Sequence, residues 1–365
     1  MKRVQSIDMI RGFCIFLMIL GHLLDWWIIN SDRWLVHYIY SFLASIAATG
    51  FLFVSGFSAA IAFKRRSKKV ETSTDFGMAH ARNIYIIRAL LLLAISLIYN
   101  TAFALTLNDL RWIWAWNVLQ TISISLLLAW PLLHTPKYLR IGLGIVLLVV
   151  NEMFSPFLLA FSGQLNIYGV LFHIFYHPVE AFTILVYFAI FIIGTVVGDF
   201  FFNFTIIKES EERKQVISRV FIRTIMLVGL IFTLFGIIYR FHDFIYRRTL
   251  SATFYSLGVI LILFAILLYI EEFEKIKPKK RYRFFFYFSF YSFTVYLAHD
   301  PLYFIFYNQL NAINIWLAVI GIFVLIILLL KAMHKKLGIK FSLKAQLGVL
   351  SLIIANKIEK RKNRN

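Results

Sequence analysis

Ten long apolar runs follow one another along this chain, and they limit its fold more than any other feature. They are residues 7–29, 37–63, 84–107, 112–133, 141–161, 179–202, 220–239, 252–270, 284–307 and 313–330. Each run is about as long as the roughly 20 apolar residues that cross a bilayer as one helix. Open strands cannot satisfy their backbone hydrogen bonds in lipid. The sequence therefore predicts an all-α, polytopic membrane protein with about ten transmembrane helices.

Composition agrees with this prediction and excludes an ordinary soluble protein. Hydrophobic residues make up 61% and charged residues 15% of the chain, against about 45–50% and about 25% in soluble domains. The net charge of +20 could by itself indicate nucleic-acid binding, but the cations cluster between the apolar runs, as they do in membrane-flanking loops. We therefore expect the lipid bilayer as a partner and no nucleic acid. The single cysteine, Cys14, excludes an internal disulfide.

The distribution of Lys and Arg predicts the orientation of the chain. If the N-terminus is cytoplasmic, 31 Lys and Arg residues fall on the cytoplasmic side and five on the external side. The positive-inside rule then places both termini in the cytoplasm and the protein in the cell membrane as a multi-pass protein. Residues 1–340 would form the membrane domain, and residues 341–365 a basic amphipathic segment on the cytoplasmic surface. The sequence leaves open whether the chain forms a homo-oligomer.

Ionisable residues inside an apolar run are costly in a membrane, so each is a candidate for a functional site. The first run contains Asp8, Arg11, His22 and Asp25. Arg11 and His22 are 11 residues apart, which returns them to nearly the same face of a helix and separates them by roughly 16 Å. The four residues therefore predict a polar stripe that faces the protein interior. For Asp8 and Arg11, snorkelling to water at a helix end is the alternative.

A second polar face is predicted in the ninth run. Ser289, Ser292, Tyr296 and His299 are spaced by three, four and three residues, which keeps them on one side of a helix. His299 would then lie at a depth similar to that of His22. The alternative is that these groups only hold helices together through interhelical hydrogen bonds.

Histidine chemistry is expected to be acid–base rather than metal binding. Six of the nine histidines are expected in the outer half or outside, namely His22, His37, His173, His177, His242 and His299. No HxxxH or HxH spacing occurs within a run, so we expect no metal. Imidazole titrates near neutral pH and can accept a proton from an amine or a hydroxyl. No GxSxG, Walker or GxGxxG motif is present, which disfavours hydrolase, NTPase and dinucleotide-binding functions.

Several phrases of the sequence, in order, resemble those of a known family. They are residues 3–12 with 18–22, 51–57, 117–122, 177–198 and 291–299. These phrases resemble the heparan-α-glucosaminide N-acetyltransferase family. They are also similar to the acyltransferase-3 family, whose signature is an Arg and a His separated by ten residues, as Arg11 and His22 are.

The resemblance implies a multi-pass enzyme that transfers an acyl group, usually acetyl from cytoplasmic acetyl-CoA, to a sugar or glycan-like acceptor. The acyltransferase-3 pattern implies His22 as general base. The heparan family has Asn at that position and its catalytic His in the first external loop, near His37, so His37 is a second catalytic candidate and His299 a third. The expected donor-binding residues are Asp8, Arg11, Ser292, Tyr296 and Gln120. Within this group Arg11 would attract the CoA phosphates and Asp8 would orient its guanidinium. Ser292, Tyr296 and Gln120 are candidates for stabilising the oxyanion.

Three further interpretations stay open at this point. A proton-coupled transporter or flippase could use the same polar stripe without covalent chemistry. The basic residues after the second run could help hold the donor nucleotide or only set the topology: Lys64, Arg65, Arg66, Lys68 and Lys69. The external tryptophans could stack on sugar faces or form an interfacial aromatic belt: Trp26, Trp27, Trp34, Trp112 and Trp114.

Overall fold

The structure is a computed structural model that describes residues 4–73, 76–177, 183–205, 210–240, 249–273 and 283–362. Within these ranges the regular elements are helices and no strand occurs, which confirms the predicted all-α fold class. Parts of the predicted basic loops, including Lys2, Arg3, Lys208 and the stretch 274–282, lie outside the described residues.

Fourteen α-helices are described in these ranges, and they are numbered here in chain order. They are α1 (Gln5–Trp27), α2 (Arg33–Thr72), α3 (Met78–Leu107), α4 (Val118–Leu132), α5 (Lys137–Leu159), α6 (Ile167–Phe175), α7 (Ile184–Phe204), α8 (Ser210–Val216), α9 (Arg223–Tyr239), α10 (Leu250–Glu272), α11 (Arg283–Phe290), α12 (Ser292–Ala298), α13 (Asn314–Leu337) and α14 (Leu343–Lys362). Short 3-10 helices occur at Asn30–Asp32, Leu110–Trp114, Asp300–Phe304 and Gly338–Phe341. A π-helical stretch, Ile217–Ile222, joins α8 to α9.

Nine helical segments in the described ranges are long and apolar enough to cross a membrane. They are Gln5–Trp27, Ser45–Thr72, Met78–Leu107, Leu110–Leu132, Lys137–Leu159, Ile184–Phe204, Glu211–Tyr239, Leu250–Glu272 and Asn314–Arg361. Nine of the ten predicted runs therefore correspond to these segments. The exception is the ninth run.

The ninth run, predicted as one span over 284–307, is not a continuous helix, so this prediction is wrong. The helix is interrupted at Tyr291, where φ is −101° and ψ is 16°. The carbonyl of Ser289 accepts a hydrogen bond from Lys344 Nζ at 3.2 Å, and that of Phe290 accepts one from Ser342 Oγ at 2.8 Å. Side chains from the segment after α13 thus satisfy carbonyls beside the break.

Proline ends the second half of this run. Helix α12 stops at Ala298, and Pro301 lies at the start of the following 3-10 helix. Proline has no backbone N–H, and it disfavours the α conformation of the residue before it. The chain therefore leaves the α-helix at His299 and turns.

The chain forms two compact units. Unit 1 consists of Met1–Phe51, Lys208–Arg247 and Ser251–Gln346, and unit 2 consists of Leu52–Ile207, Arg248–Leu250 and Leu347–Asn365. The boundary between the first segments of the two units falls inside α2. The predicted boundary between residues 340 and 341 stays a prediction.

In unit 1, α1 is fixed at its start and along its length. The N–H groups of Gln5 and Ser6 donate to the two carboxylate oxygens of Glu271 at 2.9 and 2.7 Å. Glu271, on α10, thereby satisfies two of the donors that a helix N-terminus leaves open. Gly12 packs so closely against the backbone of Phe285 on α11 that a Cβ would clash with its carbonyl. Gly12 thus lets α1 and α11 approach each other.

In unit 2, glycines allow a similar close contact between α2 and α7. A Cβ at Gly56 would clash with the carbonyl of Phe191, and one at Gly194 with the carbonyl of Phe53. Small residues at such positions let two helix backbones pack without a driving force from water.

Three features of the elements differ from the sequence-based expectation or extend it. Helix α2 continues to Thr72, so the basic residues expected in a loop after Phe63 lie in its last turns instead. The short helix α6 was not expected. Helix α14 covers most of the predicted C-terminal segment. Its residues Leu347, Ser351 and Ala355, which are spaced by four, are buried, whereas Val349 is exposed.

Candidate active site

The first turns of α1 carry an ion pair held by two helices of unit 1. Arg11 Nη1 donates to Asp8 Oδ1 at 3.1 Å, and the hydroxyl of Ser289 on α11 donates to the same oxygen at 3.2 Å. The side chains of Arg11 and Asp8 are only 16% and 14% exposed. The expected contact between Asp8 and Arg11 is therefore present, and it fixes the direction of the guanidinium.

The other end of α1 carries a cluster of aromatic and imidazole rings. The rings of His22 and His299 lie with their centroids 5.1 Å apart. Trp26 stacks on both, with its centroid 4.9 Å from that of His22 and 5.8 Å from that of His299. The three centroids form a nearly equilateral triangle, so both imidazoles lie on the same side of the indole. The structure thus brings together two predicted catalytic histidines, at similar levels along α1.

The surroundings of His299 fix its neutral tautomer. Its Nδ1 lies 2.5 Å from the carbonyl oxygen of Tyr296. A carbonyl oxygen can only accept a hydrogen bond, so Nδ1 carries the hydrogen and Nε2 of the neutral ring has the lone pair. This Nε2 is buried and has no hydrogen-bond partner within the described residues; Asp300 Oδ1 is 3.7 Å away. His299 can therefore accept a proton at Nε2.

The segment after His299 folds over the C-terminal end of α1. The carbonyl of Trp26 accepts from Asn308 N at 2.9 Å, and that of Trp27 accepts from Leu310 N at 2.8 Å. The indole of Trp27 donates from Nε1 to the carbonyl of Leu302 at 2.8 Å. These bonds satisfy helix-terminal carbonyls, and they hold the segment that carries His299 against the helix that carries His22.

The remaining predicted residues of unit 1 lie around this cluster or on the surface. Tyr296 is buried with its ring 5.7 Å from that of His299. Ser292 is buried at the start of α12, just after the break. His37 is exposed near the start of α2, with its ring 5.7 Å from that of Tyr38. The second histidine of the ring cluster at the end of α1 is therefore His299.

Gln120 belongs to unit 2, where it is part of a buried amide network. Asn100 Nδ2 donates to Gln120 Oε1 at 2.7 Å and to the carbonyl of Ala115 at 2.9 Å. The side chain of Asn117 donates to Asn100 Oδ1 at 2.5 Å and accepts from Gln120 N at 2.8 Å. This network joins α3 to the start of α4. Gln120 Nε2 is buried without a hydrogen-bond partner in the described part of the chain.

A buried ion pair in unit 2 was missed from the sequence. Arg140 on α5 donates to Asp199 on α7, and its Nη1 donates to Thr195 Oγ1 at 3.1 Å. Both charged side chains are 2% exposed. Asp199 inside the sixth apolar run was the available signal, because a carboxylate within a span requires a partner.

The sequence analysis left Trp26 as either a sugar-stacking or a belt residue and missed its contact with His22, which the spacing could have identified. It follows His22 by four residues, which places both side chains on one helix face. The contact of Trp26 with His299 could not be found by spacing, because His299 lies in a distant part of the chain.

His177, another of the expected outer histidines, lies in unit 2 against Trp112, with ring centroids 5.0 Å apart. Burial, together with the positive charges of His173 and Arg111, lowers the pKa of His177 below its ordinary value. Its neutral form is therefore favoured. His242 lies outside the described residues. Among the residues that the structure describes, no three His, Cys, Asp or Glu side chains are grouped as a metal site.

Comparison with known proteins identifies the family. Residues 3–235 match the family model of heparan-alpha-glucosaminide N-acetyltransferase, catalytic. No curated protein matches the chain. The matched range includes Asp8, Arg11, His22, His37 and Gln120, whereas Ser292, Tyr296 and His299 follow it. Enzymes of this family use acetyl-CoA as the donor. Because the match covers well over half of the residues, the chain belongs to the heparan-alpha-glucosaminide N-acetyltransferase family, and this membership implies acetyltransferase activity.

Proposed function

We propose that this protein transfers an acetyl group from cytoplasmic acetyl-CoA to an amino or hydroxyl group of a sugar or glycan-like acceptor at the external side of the cell membrane. The observation that carries the proposal is the pair of imidazoles, His22 and His299, at one end of α1, with the Arg11 guanidinium near the other end. Family membership supplies the acetyltransferase chemistry.

In the proposed reaction, His22 acts as general base. The acceptor nitrogen or oxygen attacks the thioester carbonyl carbon, while His22 removes the proton from the attacking group. The tetrahedral intermediate then collapses, the carbon–sulfur bond breaks, and the CoA sulfur leaves with the proton that His22 returns. A base of this kind contributes typically a factor of 10² to 10⁴ in rate.

His299 is the second proton carrier in this proposal. Its ring touches that of His22, and its Nε2 has a lone pair in the neutral form. This contact favours His299 over the exposed His37 for the role. Tyr296, whose ring lies against His299, is the candidate that the contacts favour for stabilising the oxyanion, ahead of Ser292 and Gln120.

Arg11 attracts the CoA phosphates at the donor end. Asp8 and Ser289 hold the guanidinium in one direction through the shared oxygen Asp8 Oδ1. On a continuous helix, Arg11 and His22 are separated by roughly 16 Å. The extended pantetheine arm of the donor bridges that distance along the polar stripe of α1. The nucleotide thus stays at the cytoplasmic side near Arg11, while the thioester reaches His22 and His299.

The proposed topology has both termini in the cytoplasm, which rests on the count of 31 against five Lys and Arg residues. A reporter fused after Asn365, and another inserted at Glu71, should both give a cytoplasmic signal. An external signal from either one contradicts the topology.

The test of function uses sealed vesicles that contain the purified protein in a known orientation. Radiolabelled acetyl-CoA is added only to the face that carries the termini, and an amino sugar only to the opposite face. We expect labelled acceptor and stoichiometric release of CoA. Movement of the sugar across the membrane without acetylation would instead identify a transporter, and activity that requires both substrates on one side would overturn the two-sided arrangement.

A further inference from the structure

The ring cluster of unit 1 does not end at His299 but continues outward through further aromatic side chains. Trp26 meets Tyr303 edge to face with centroids 5.7 Å apart, and Tyr303 meets Tyr307 at 4.5 Å. Tyr303 is half-buried and Tyr307 is 52% exposed. A continuous strip of rings, here called the aromatic strip (Trp26, Tyr303 and Tyr307), therefore runs from His22 to the surface.

Hydrogen bonds hold the segment that carries Tyr303 and Tyr307 against the end of α1. The carbonyl of Trp26 accepts from Asn308 N, the residue after Tyr307, at 2.9 Å. Further along, Asp32 Oδ2 accepts from Ala312 N at 2.7 Å. These bonds join the end of α1 and the 3-10 helix Asn30–Asp32 to the turn that follows Tyr307.

Polar side chains lie beside the outer end of the strip, next to the exposed Phe304. Asn308 and Gln309 are exposed beside Tyr307. At the same end of α1, Asp25 and Arg33 form an exposed ion pair at 3.8 Å. A ring in an interfacial belt faces lipid, whereas Trp26 stacks on two histidines and Tyr307 emerges among amides. These surroundings suit a polar, water-borne ligand that also has one apolar face.

We propose that the aromatic strip is the acceptor subsite and that the acceptor is a sugar whose pyranose ring stacks on it. This inference rests on the proposed function. One face of a pyranose presents C–H groups, which pack against the negative face of an aromatic ring, while its hydroxyls reach polar side chains at the edge. A sugar stacked on Tyr303 and Tyr307 directs its amino or hydroxyl group along Trp26 towards His22.

The test compares two exposed aromatic residues that differ in their place. Tyr307→Ala removes the outer ring of the strip, and Tyr138→Ala removes a tyrosine ring that is 70% exposed and belongs to α5 in unit 2. The KM and kcat for CoA release are measured in the full-length, reconstituted protein with glucosamine and with ethanolamine as acceptor. Ethanolamine offers the same amine and hydroxyl chemistry without a ring.

We expect Tyr307→Ala to raise the KM for glucosamine about fivefold and to leave kcat unchanged, because it removes binding that is equal in the ground and transition states. Tyr138→Ala should leave both constants unchanged, and the KM for ethanolamine should not respond to either variant. Equal KM values for glucosamine in Tyr307→Ala and the wild type would overturn the subsite, as would an equal rise in both variants or with both acceptors.

A binding measurement separates failure of this subsite from failure of the proposed function. If the wild type releases no CoA with either amine, glucosamine binding is measured by saturation-transfer NMR without donor. Binding that Tyr307→Ala weakens and Tyr138→Ala preserves supports the subsite even then. No binding, or equal binding in all three proteins, overturns it.

Discussion

The two units bury polar side chains in different chemical states. In unit 2, Arg140 and Asp199 neutralise each other where both are 2% exposed. In unit 1, the buried His299 keeps Nε2 without a hydrogen-bond partner among the described residues, beside the half-buried His22. The first cluster is a charge-compensated ion pair between two helices, although Asp199 Oδ1 and Arg140 Nε make no hydrogen bond within the described residues. The second cluster is a group of titratable rings at a helix end.

This difference shows how to interpret an ionisable residue inside an apolar run. Membrane burial makes every such residue a functional candidate, yet the charges of a carboxylate and a guanidinium that pair between two helices are compensated without a substrate. An imidazole that retains a lone pair, next to a route to the surface, can exchange a proton. We infer that catalysis belongs to unit 1 and that the ion pair of unit 2 positions helices.

The largest effect is expected from His22→Ala. Loss of the general base should lower kcat by a factor of about 10² to 10⁴, while the unfolding temperature stays close to that of the wild type. Initial rates of CoA release and thermal unfolding followed by intrinsic fluorescence measure the two quantities. His134→Ala, which removes an exposed histidine at the end of α4, is the matched control and should retain activity. Full activity in His22→Ala would show that His22 is not the general base.

The second prediction concerns the buried ion pair of unit 2, Arg140 and Asp199. Asp199→Ala leaves the Arg140 guanidinium buried and uncompensated, so we expect it to lower the free energy of unfolding by about 3–5 kcal/mol. Replacing both residues by apolar ones of similar size, Arg140→Met with Asp199→Leu, should recover much of that loss. Denaturant unfolding in detergent provides the measurement. A variant that unfolds like the wild type but no longer turns over acetyl-CoA would place chemistry in unit 2.

The sequence predicts those parts of the site that depend on one helix. The 3.6-residue period places Arg11 and His22 on one face, and the spacing of three residues brings Asp8 to Arg11. The apolar runs identify the helices that are long enough to span a membrane, because hydrophobic length alone determines them. The resemblance to the heparan-α-glucosaminide N-acetyltransferase family is confirmed by the family model over residues 3–235, and the similarity to the acyltransferase-3 family stays a prediction.

The parts that could not be predicted depend on contacts between distant residues. The break at Tyr291 is stabilised by Ser342 and Lys344, about fifty positions later in the chain, and no local pattern shows them. Arg140 was counted as a flanking cation because its partner is 59 residues away. Gln120 was grouped with residues of unit 1 because spacing within a sequence contains no information about compact units.

The third prediction tests how strongly α1 is fixed at the end away from the histidines. Glu271→Ala removes the acceptor of the N–H groups of Gln5 and Ser6, and we expect a loss of about 1–2 kcal/mol in stability, as for other helix N-caps. Glu271→Gln keeps one acceptor oxygen and should lose less. Glu212→Gln, at an exposed position, makes the same change of charge and should have little effect. If Glu271→Ala is as stable as the wild type, the N-terminus of α1 is satisfied by other groups.

The smallest effect is expected at an exposed Arg–Asp ion pair of unit 2, which can be compared with the buried pair of Arg140 and Asp199. Asp109 accepts from Arg111 Nε at 2.9 Å and from Arg111 Nη2 at 2.7 Å, and Arg111 is 63% exposed. The hydrogen bonds from Arg111 lower the pKa of Asp109 from 3.8 to about 2. A carboxyl whose pKa is lowered by folding stabilises the folded state above its ordinary pKa and loses this contribution as the pH falls through its folded pKa. The difference in unfolding temperature between the wild type and Asp109→Asn should therefore be constant above about pH 5 and shrink as the pH falls towards about 2.

Because water and salt screen an exposed pair, high salt should reduce this difference but leave the effect of Asp199→Ala nearly unchanged. A difference that grows on acidification, or an equal response of the two pairs to salt, would contradict the distinction between the exposed and the buried pair.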